Sequence, residues 1–444
     1  MNGGGHEGED MSDPEGGSGP DSDREFDATE STARELDASD PLAGFRDRFD
    51  VPDTCYLDGN SLGPASDEAV AALEHVVEEW RTLGVRGWTE GDPPWFWYGE
   101  RLGERLAPMV GAKPDEVVVG NSTTVNIHTL IETFLEAADG DTVVVNELDF
   151  PTDHYAIASQ LRARGLDPAE HLVCVESEDG RTIEKDAIRE VVDDETAIVF
   201  FPSVLYRSGQ LFDLEVLTEI AHEHDAFAGF DLAHSVGAMA HDLSGIGADF
   251  AVWCHYKYCN AGPGAVAGLY VAERHFGKRP GLAGWWGHEK ETQFDLNLEY
   301  TPARSAGAWQ IGTIPIFSAA PLDGALSVLE EAGLEAIRRK SVALTEYLVA
   351  LTDERLAEYG VDVGTPRETD RRGGHVALEH EQAYALGAAL RERDYVVDVR
   401  PPNVVRVCPA PLYMGFHDVW AFVDVVETLF DEDSLEAVDP DAVT

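Results

Sequence analysis

The sequence predicts an α/β fold in which a large domain holds a mostly parallel central sheet between helices, followed by a smaller α+β domain. Short, uninterrupted apolar runs such as Val117–Val119 and Phe250–Trp253 are typical of strands buried on both faces. Between such runs, apolar residues recur every three to four positions, as at Ile127, Leu130 and Ile131. Buried strands that alternate with amphipathic helices indicate a parallel sheet covered by helices on both sides.

The individual elements of the large domain follow from the same two patterns. Val-, Ile- and Phe-rich runs predict strands at 117–119, 142–145, 172–175, 197–201, 227–231, 250–253 and 265–271. Amphipathic stretches predict helices at about 125–136, from 153 onward, and at about 184–192 and 214–224.

The C-terminal part predicts a second, smaller domain. Residues 320–352 carry one continuous apolar stripe and predict one long helix. Beyond it, the pattern predicts strands at 375–378, 396–399 and 404–407 and helices near 383–393 and 419–429. The predicted division is a disordered acidic tail (1–35), an N-terminal segment that packs with the small domain (36–75), a large domain (76–318), a small domain (319–432) and a second acidic tail (433–444).

The charge of the chain excludes several classes of function. Its 444 residues include 84 Asp and Glu against 32 Lys and Arg, a formal net charge of −52. Such a surface repels phosphates, which argues against nucleic-acid binding and against docking on an anionic membrane. The sequence has no apolar run of about 18 residues that would predict a membrane span. Nor does its beginning resemble a signal peptide.

The same acidity indicates the cytoplasm of a halophile. The screening length is about 30 Å in 0.01 M salt and about 3 Å in 1 M salt, so the repulsion is weakest where salt is molar. The five cysteines show no disulfide framework, which is typical of a reducing compartment. An acidic protein from a mesophile is the alternative. No metal site is predicted, because Cys254 and Cys259 lack a second pair of ligands.

One lysine of six differs from the others in its sequence surroundings. Lys257 follows an apolar strand and precedes a Gly-rich turn, where desolvation favours the neutral, nucleophilic amine. The remaining lysines are predicted to be solvated: Lys113, Lys185, Lys278, Lys290 and Lys340. On its own, this context of Lys257 favours a lysine that reaches from the core into water over a nucleophile.

A carboxylate and a polar loop complete a recognisable combination. Asp231 ends the predicted strand 227–231, and the carboxyl ends of parallel strands face the ligand crevice. A lysine that forms a Schiff base and an aspartate that faces a pyridinium nitrogen are what pyridoxal phosphate (PLP) requires. The run Asn121-Ser122-Thr123-Thr124 lies between a strand and a helix, where free N–H groups and hydroxyls bind phosphate. An ordinary helix cap is the alternative for this run.

These residues belong to a set of motifs that resembles the kynureninase family, fold-type I PLP-dependent enzymes, over about residues 45–430. The motifs are Leu57-Asp58-Gly59-Asn60-Ser61-Leu62-Gly63, Asn-Ser-Thr-Thr-Val-Asn at 121–126, Phe150-Pro151-Thr152-Asp153, Gly229-Phe230-Asp231-Leu232-Ala233-His234, Tyr256-Lys257-Tyr258 with Asn260-Ala261-Gly262, Gly284-Trp285-Trp286-Gly287-His288, Gly312-Thr313, and Arg406-Val407 before Pro411-Leu412-Tyr413. The Gly-Trp-Trp-Gly-His run separates this family from the related cysteine desulfurases.

The resemblance implies a role for each matching residue. Lys257 forms the Schiff base, Asp231 pairs with the pyridine nitrogen, and Tyr256 relays protons near the phosphate. The other cofactor-binding residues that it implies are Thr123, Thr124, Phe150, Asp153, Ser203 and His234, with Trp285 and Thr313 reaching over from a partner subunit. Arg406 holds the substrate α-carboxylate, and His234 lies beside cofactor and substrate. The Trp-rich segment 87–97 falls where the family contacts the substrate ring.

The implied reaction is hydrolytic Cβ–Cγ cleavage of L-kynurenine to anthranilate and L-alanine, in tryptophan degradation, by a homodimer with shared active sites. Cleavage of 3-hydroxykynurenine stays open, since some family members have Asn where this chain has Thr313. The alternatives are another fold-type I enzyme, such as a cysteine desulfurase or class V aminotransferase, and a non-catalytic protein that keeps the fold. A desulfurase needs a cysteine on a mobile loop, whereas Cys408 lies in an apolar run.

Overall fold

The structure is a computed structural model that describes residues 27–52 and 54–435. Its helices are α1 (Glu30–Ala38), α2 (Asp67–Leu83), α3 (Gly87–Glu90), α4 (Tyr98–Leu106), α5 (Thr123–Ala137), α6 (Pro151–Ala163), α7 (Pro168–His171), α8 (Lys185–Val191), α9 (Leu214–His222), α10 (Ile316–Ala332), α11 (Leu334–Leu351), α12 (Ala383–Glu392) and α13 (Phe416–Asp431).

The strands form a large central sheet and a smaller sheet, with two short strand pairs beside them. They are β1 (Phe49–Asp50), β2 (Cys55–Tyr56), β3 (Ala65–Ser66), β4 (Val117–Val119), β5 (Thr142–Asn146), β6 (Leu172–Val175), β7 (Thr196–Pro202), β8 (Phe227–Asp231), β9 (Phe250–Trp253), β10 (Gly268–Val271), β11 (Asp362–Val363), β12 (Val376–Glu379), β13 (Tyr395–Val396), β14 (Asp398–Arg400) and β15 (Val404–Val407).

The central sheet is mostly parallel, as the sequence predicts. Its order is β4-β10-β9-β8-β7-β5-β6, and β10 alone runs antiparallel to both of its neighbours. The middle strands are buried along nearly their whole length, which explains their uninterrupted apolar runs. In the register, Pro202 of β7 lies beside Asp231 of β8, and Asp231 lies beside Val252 of β9. The carboxyl ends of these three strands therefore lie at one edge.

The small sheet, in the order β11-β12-β15-β14, is antiparallel, and helices α12 and α13 pack nearby. The strand predicted at 396–399 divides in the structure. Residues Tyr395–Val396 pair with β2 of the N-terminal segment, whereas Asp398–Arg400 join β15. The N-terminal segment also caps α13, since Asp37 accepts hydrogen bonds from the backbone N–H groups of Phe416 and His417.

Two predictions about helices are wrong. The single helix predicted at 320–352 is two helices, because Gly333 between them has φ +75°, a left-handed conformation that an α-helix cannot continue. Helix α1 begins at Glu30, inside the region predicted to be disordered, and Thr29 caps it. The rest of the predicted tails, 1–26 and 436–444, lies outside the described residues. In the part of the chain that the structure covers, no helix is long and apolar enough to span a bilayer.

Candidate active site

Lys257 lies in the turn that follows β9, at the carboxyl edge of the central sheet. Its Nζ lies 2.9 Å from Nε2 of His234, which follows β8. The N-terminal segment approaches this turn closely, because Gly63 N–H donates to the Tyr256 carbonyl at 2.8 Å. A Cβ on Gly63 would lie 2.5 Å from the Lys257 carbonyl oxygen, so only glycine fits there. The lysine is thus held between the large domain and the N-terminal segment.

Asp231 ends β8 beside this lysine. Its Oδ1 accepts a hydrogen bond from Ala233 N–H at 2.8 Å, which fixes the carboxylate at the strand end. Burial raises the pKa of Asp231, while the positive charge of Lys257 acts in the opposite direction. The pair that the sequence predicts is therefore brought together in one pocket.

Two more buried carboxylates lie near Asp231. Burial raises the pKa of Asp153 well above its usual value, and Asp231 and Asp149 add to that effect. Burial likewise raises the pKa of Asp149, which accepts hydrogen bonds from the backbone and side chain of Asn146. The sequence motif pointed to Asp153. Asp149 was missed, because its hydrogen bonding to a strand end has no signal in the sequence.

The polar run at 121–124 forms the start of α5, as predicted. Ser122 is the N-cap, with its hydroxyl 3.5 Å from Val125 N–H, and Asn121 takes the left-handed conformation with φ 57°. Thr123 and Thr124 line the pocket, and the Thr124 hydroxyl lies 2.9 Å from that of Thr152. Free N–H groups and hydroxyls at a helix N-terminus suit a phosphate, and the loop is a helix cap as well.

Aromatic side chains form another wall of the pocket. Phe150 is 47% exposed, and its ring packs edge-on against that of Tyr206, with centroids 5.3 Å apart. Tyr256 also lines the pocket, and its ring centroid lies 5.9 Å from Lys257 Nζ. Burial raises the pKa of the Tyr256 phenol, so its hydroxyl keeps its proton at neutral pH.

Arg406 reaches the pocket from β15 and is 2% exposed. Its Nη1 donates to the Tyr206 carbonyl at 2.7 Å, and its Nη2 donates to the Ser61 hydroxyl at 2.9 Å. Nη2 also pairs with Asp398 of β14. The guanidinium therefore connects the small domain to both the large domain and the N-terminal segment.

Four predicted site residues lie outside the lining of this pocket. Ser203 is fully buried behind it, with its hydroxyl 2.6 Å from that of Ser235, and Asp153 is buried as well. Trp285 is 47% exposed and packs against Trp286 and Phe294, and Thr313 is also exposed. Every other predicted site residue lines the pocket: Thr123, Thr124, Phe150, Asp231, His234, Tyr256, Lys257 and Arg406.

Sequence reasoning missed part of the pocket. Its further lining residues are Asn60, Ser61, Thr152, Tyr206, Ala233, Cys254 and Arg400. Asn60, Ser61 and Thr152 lie in motifs that carry the resemblance, so the motifs themselves were a signal for them. No sequence signal pointed to Arg400, because its place in the pocket depends on the pairing of β14 with β15, which the sequence does not show.

Two of the lysines predicted to be solvated are buried instead. Lys290 Nζ lies 4.2 Å from the ring centroid of Trp286 and 4.6 Å from that of Phe96. Lys340 Nζ lies 2.6 Å from Asp40 Oδ2. Both have charged neighbours in sequence, a pattern that suggests a solvated lysine. The structure instead places Lys290 against the nearby Trp286 and the distant Phe96, and Lys340 against the distant Asp40.

The Trp-rich segment 87–97 packs against Trp286 and Lys290 instead of lining the pocket. Trp88 lies against Trp95 and Trp286, and Phe96 lies against Trp286. These residues do not line the pocket around Lys257.

Comparison with known proteins assigns the chain to a family. A family model described as "Kynureninase C-terminal domain" matches residues 337–426, and one described as "DegT/DnrJ/EryC1/StrS aminotransferase family" matches residues 97–260. A kynureninase of Geobacillus thermodenitrificans is 47% identical over 402 residues, 90% of this chain and 94% of the relative. One of Shouchella clausii is 47% identical and covers 91% of this chain and 95% of the relative. The chain belongs to the kynureninase family.

Solved structures confirm the fold class. A cysteine desulfurase of Thermococcus onnurineus has a TM-score of 0.72 at 20% identity, covering 90% of this chain and 98% of that one. A cystine C-S lyase mutant with glycine covalently linked to its PLP cofactor has a TM-score of 0.73 at 16% identity, covering 86% and 98%. These likenesses show a shared fold-type I architecture, and family membership makes the chain a PLP-dependent enzyme.

The residues of the pocket fit PLP on structural grounds. Lys257 supplies an amine and Asp231 a buried carboxylate, while the start of α5 offers hydroxyl and N–H donors to a phosphate. Nδ1 of His234, which lines the pocket, is buried and has no hydrogen-bond partner among the described residues. A ring with polar substituents would satisfy such an atom.

Proposed function

We propose that the protein hydrolyses L-kynurenine between Cβ and Cγ, giving anthranilate and L-alanine, with 3-hydroxykynurenine as a further candidate substrate. The observation that carries this proposal is the Lys257–His234–Asp231 arrangement in a chain of the kynureninase family. Water divides between the products: its hydroxyl joins the carbonyl carbon of anthranilate, and a proton ends on Cβ of alanine. The reaction needs no oxidant or reductant.

The pocket residues would divide the work of this reaction. PLP, when bound, withdraws electrons from the carbon atoms next to the substrate amine. Lys257 Nζ takes the proton from Cα, and its neighbour His234 orients it through the 2.9 Å contact. Burial, with the charges of Lys257 and Arg406, lowers the pKa of His234, so its imidazole stays neutral and accepts a hydrogen bond from the lysine.

The remaining side chains would hold the substrate and return protons. Tyr256, which keeps its proton, is placed to relay it near Lys257. Arg406 binds the α-carboxylate, since a guanidinium forms charge-assisted hydrogen bonds with it. With PLP bound, Asp231 would keep the pyridine nitrogen protonated, Phe150 would pack on the ring, and Thr123 and Thr124 would hold the phosphate. Asp153 and Ser203 support these groups from behind the pocket.

The assembly we propose is a homodimer in which Trp285 and Thr313 complete the partner's site. Both residues are exposed here, and exposed apolar side chains cluster nearby in the sequence at Phe294, Leu296 and Leu298. Such a surface indicates a protein contact. We further propose that the domain limits are those predicted from the sequence, except that the N-terminal segment already includes α1 from Glu30. We also propose that the dimer works in the salt-rich cytoplasm of a halophile.

A cysteine desulfurase or class V aminotransferase is the second candidate, because the solved neighbours include desulfurases. Cys408 does not suit that chemistry. It is fully buried at the end of β15, its Sγ lies 3.5 Å from the Tyr258 hydroxyl, and burial raises its pKa to about 12. A nucleophilic cysteine needs an accessible thiolate.

The test is to incubate the PLP-loaded protein with L-kynurenine in molar KCl. We expect anthranilate fluorescence and an equal amount of alanine. The Lys257→Ala variant is the matched control. A parallel incubation with L-cysteine measures sulfide, and sulfide without anthranilate would contradict the proposed reaction in favour of the second candidate.

A further inference from the structure

A second guanidinium lies on the same face of the small sheet as Arg406. In the antiparallel register, Asp398 of β14 pairs directly with Arg406 of β15. Residues opposite each other share a face, and so do residues two apart on one strand. Asp398, Arg406 and Arg400 therefore present three charged side chains on one face, and both arginines line the pocket around Lys257.

Asp398 bridges the two arginines. Its Oδ2 pairs with Arg406 Nη2 and lies 2.9 Å from Arg400 Nε. Arg400 keeps a side chain that is 37% exposed at the pocket, whereas that of Arg406 is 2% exposed. Asp58 also interacts with both arginines, and burial raises its pKa to about 6. This end of the pocket therefore holds two guanidinium groups and two carboxyl groups.

The contacts of Arg406 limit how it can bind a carboxylate. Its Nη1 donates to the Tyr206 carbonyl and its Nη2 to Ser61 Oγ, and Nη2 also forms an ion pair with Asp398 Oδ2. A bidentate fork needs an Nη2 hydrogen paired with one on either Nη1 or Nε. Each terminal nitrogen of Arg406 already faces a protein oxygen, so Arg406 offers a carboxylate fewer free donors than an unpaired guanidinium would. Arg400, within the described chain, is paired with Asp398 through Nε alone, and its terminal nitrogens are open to a ligand.

We propose that Arg400 is a second binding residue for the substrate carboxylate, with Asp398 as the positioning residue that holds both guanidinium groups. The proposal rests on the proposed function in that the pocket takes an α-amino acid. Arg406 then supplies one donor, and Arg400 supplies the other from the more exposed side.

The test compares ligands with and without a carboxylate on the PLP-loaded protein in molar KCl. L-Alanine and ethylamine are titrated, and binding is followed in the visible absorbance of the cofactor. In Arg400→Gln we expect L-alanine to bind about tenfold more weakly, because one charge-assisted hydrogen bond to its carboxylate is lost. The affinity for ethylamine, which has no carboxylate, should not change. Arg400→Lys keeps the charge and recovers part of the affinity. Arg393→Gln removes the same charge from the exposed pair with Glu432 and is the matched control.

Kynurenine kinetics distinguish a binding role from a structural one. In Arg400→Gln and Asp398→Asn, KM should rise while kcat and cofactor affinity stay at the wild-type values. Equal weakening of L-alanine and ethylamine, or no weakening of either, overturns the proposal. If kynurenine is not cleaved at all but L-alanine binding still depends on Arg400, the reaction assignment fails and the carboxylate assignment stands.

Discussion

The buried imidazole of His255 should make the turn that carries Lys257 sensitive to acid. Trp253 Nε1 donates to His255 Nε2 at 2.8 Å, so that nitrogen is unprotonated. The other ring nitrogen, Nδ1, faces the Val266 carbonyl, which can only accept, so Nδ1 carries the proton. A second proton on Nε2 would remove the acceptor of the buried Trp253 N–H. The neutral form is therefore built into the fold two residues before Lys257.

The size of this effect follows from the pKa of the group. Burial lowers the pKa of His255 from 6.5 to about 4. The unfolded chain takes up a proton near pH 6.5, and the folded chain resists it down to about pH 4. The contribution of neutral His255 to the free energy of unfolding is fully present above pH 6.5 and is lost as the pH falls from 6.5 to about 4. At about 1.36 kcal/mol per pH unit, the loss in the free energy of unfolding is about 3 kcal/mol.

The measurement is urea unfolding, followed by far-ultraviolet circular dichroism in molar KCl between pH 7.5 and 4. His255→Gln is the comparison, because an amide can accept from Trp253 and donate to Val266 without titrating. Wild type should lose about 3 kcal/mol more than the variant between pH 6.5 and 4. Parallel curves for the two proteins would show that His255 is not held neutral by its surroundings.

Three further changes test the proposed reaction and assembly. Lys257→Ala should abolish anthranilate formation, and Lys257→Arg should not restore it, because a guanidinium does not form a Schiff base; turnover by either variant in the fluorescence assay would contradict the role of Lys257. Arg406→Lys loses the contacts to Tyr206 and Ser61 and should raise KM about tenfold with cofactor affinity intact; an unchanged KM would place the carboxylate elsewhere. Lowering KCl from about 1 M to about 0.01 M increases the screening length about tenfold, so the two acidic subunits repel each other more strongly. Sedimentation should then show monomers, and activity should fall with them. A dimer that stays active at low salt would refute the halophile interpretation and leave the reaction untouched.

The large domain was predictable because its signals are local. Each central strand is an uninterrupted apolar run, and Asp231 and Lys257 lie at or just beyond the ends of such runs. Parallel strands bring their carboxyl ends to one edge, so the sequence order alone places these two residues near each other. The comparisons confirm the family, the fold class and the cofactor that the motifs implied.

The small domain and the aromatic cluster were harder to predict because their contacts are not local. The run at 396–399 looks like one strand, yet Tyr395–Val396 and Asp398–Arg400 pair with different partners. That division decides where Arg400 and Asp398 lie, and no spacing in the sequence shows it. Lys290 has glutamates beside it in the sequence, but the nearby ring of Trp286 and the distant rings of Phe96 and Trp97 enclose it.

The scarcity of lysine makes its buried examples informative. The chain has 32 basic residues for 84 acidic ones, and only six are lysines. An exposed ion pair contributes about 0–1 kcal/mol, so a surface lysine adds little here. Lys257, Lys290 and Lys340 are each held by particular partners: an imidazole, a set of aromatic rings and the carboxylate of Asp40. In a chain this acidic, these three lysines therefore mark places where a compact positive charge or a free amine has a defined role, and surface ion pairs are formed mainly by arginine.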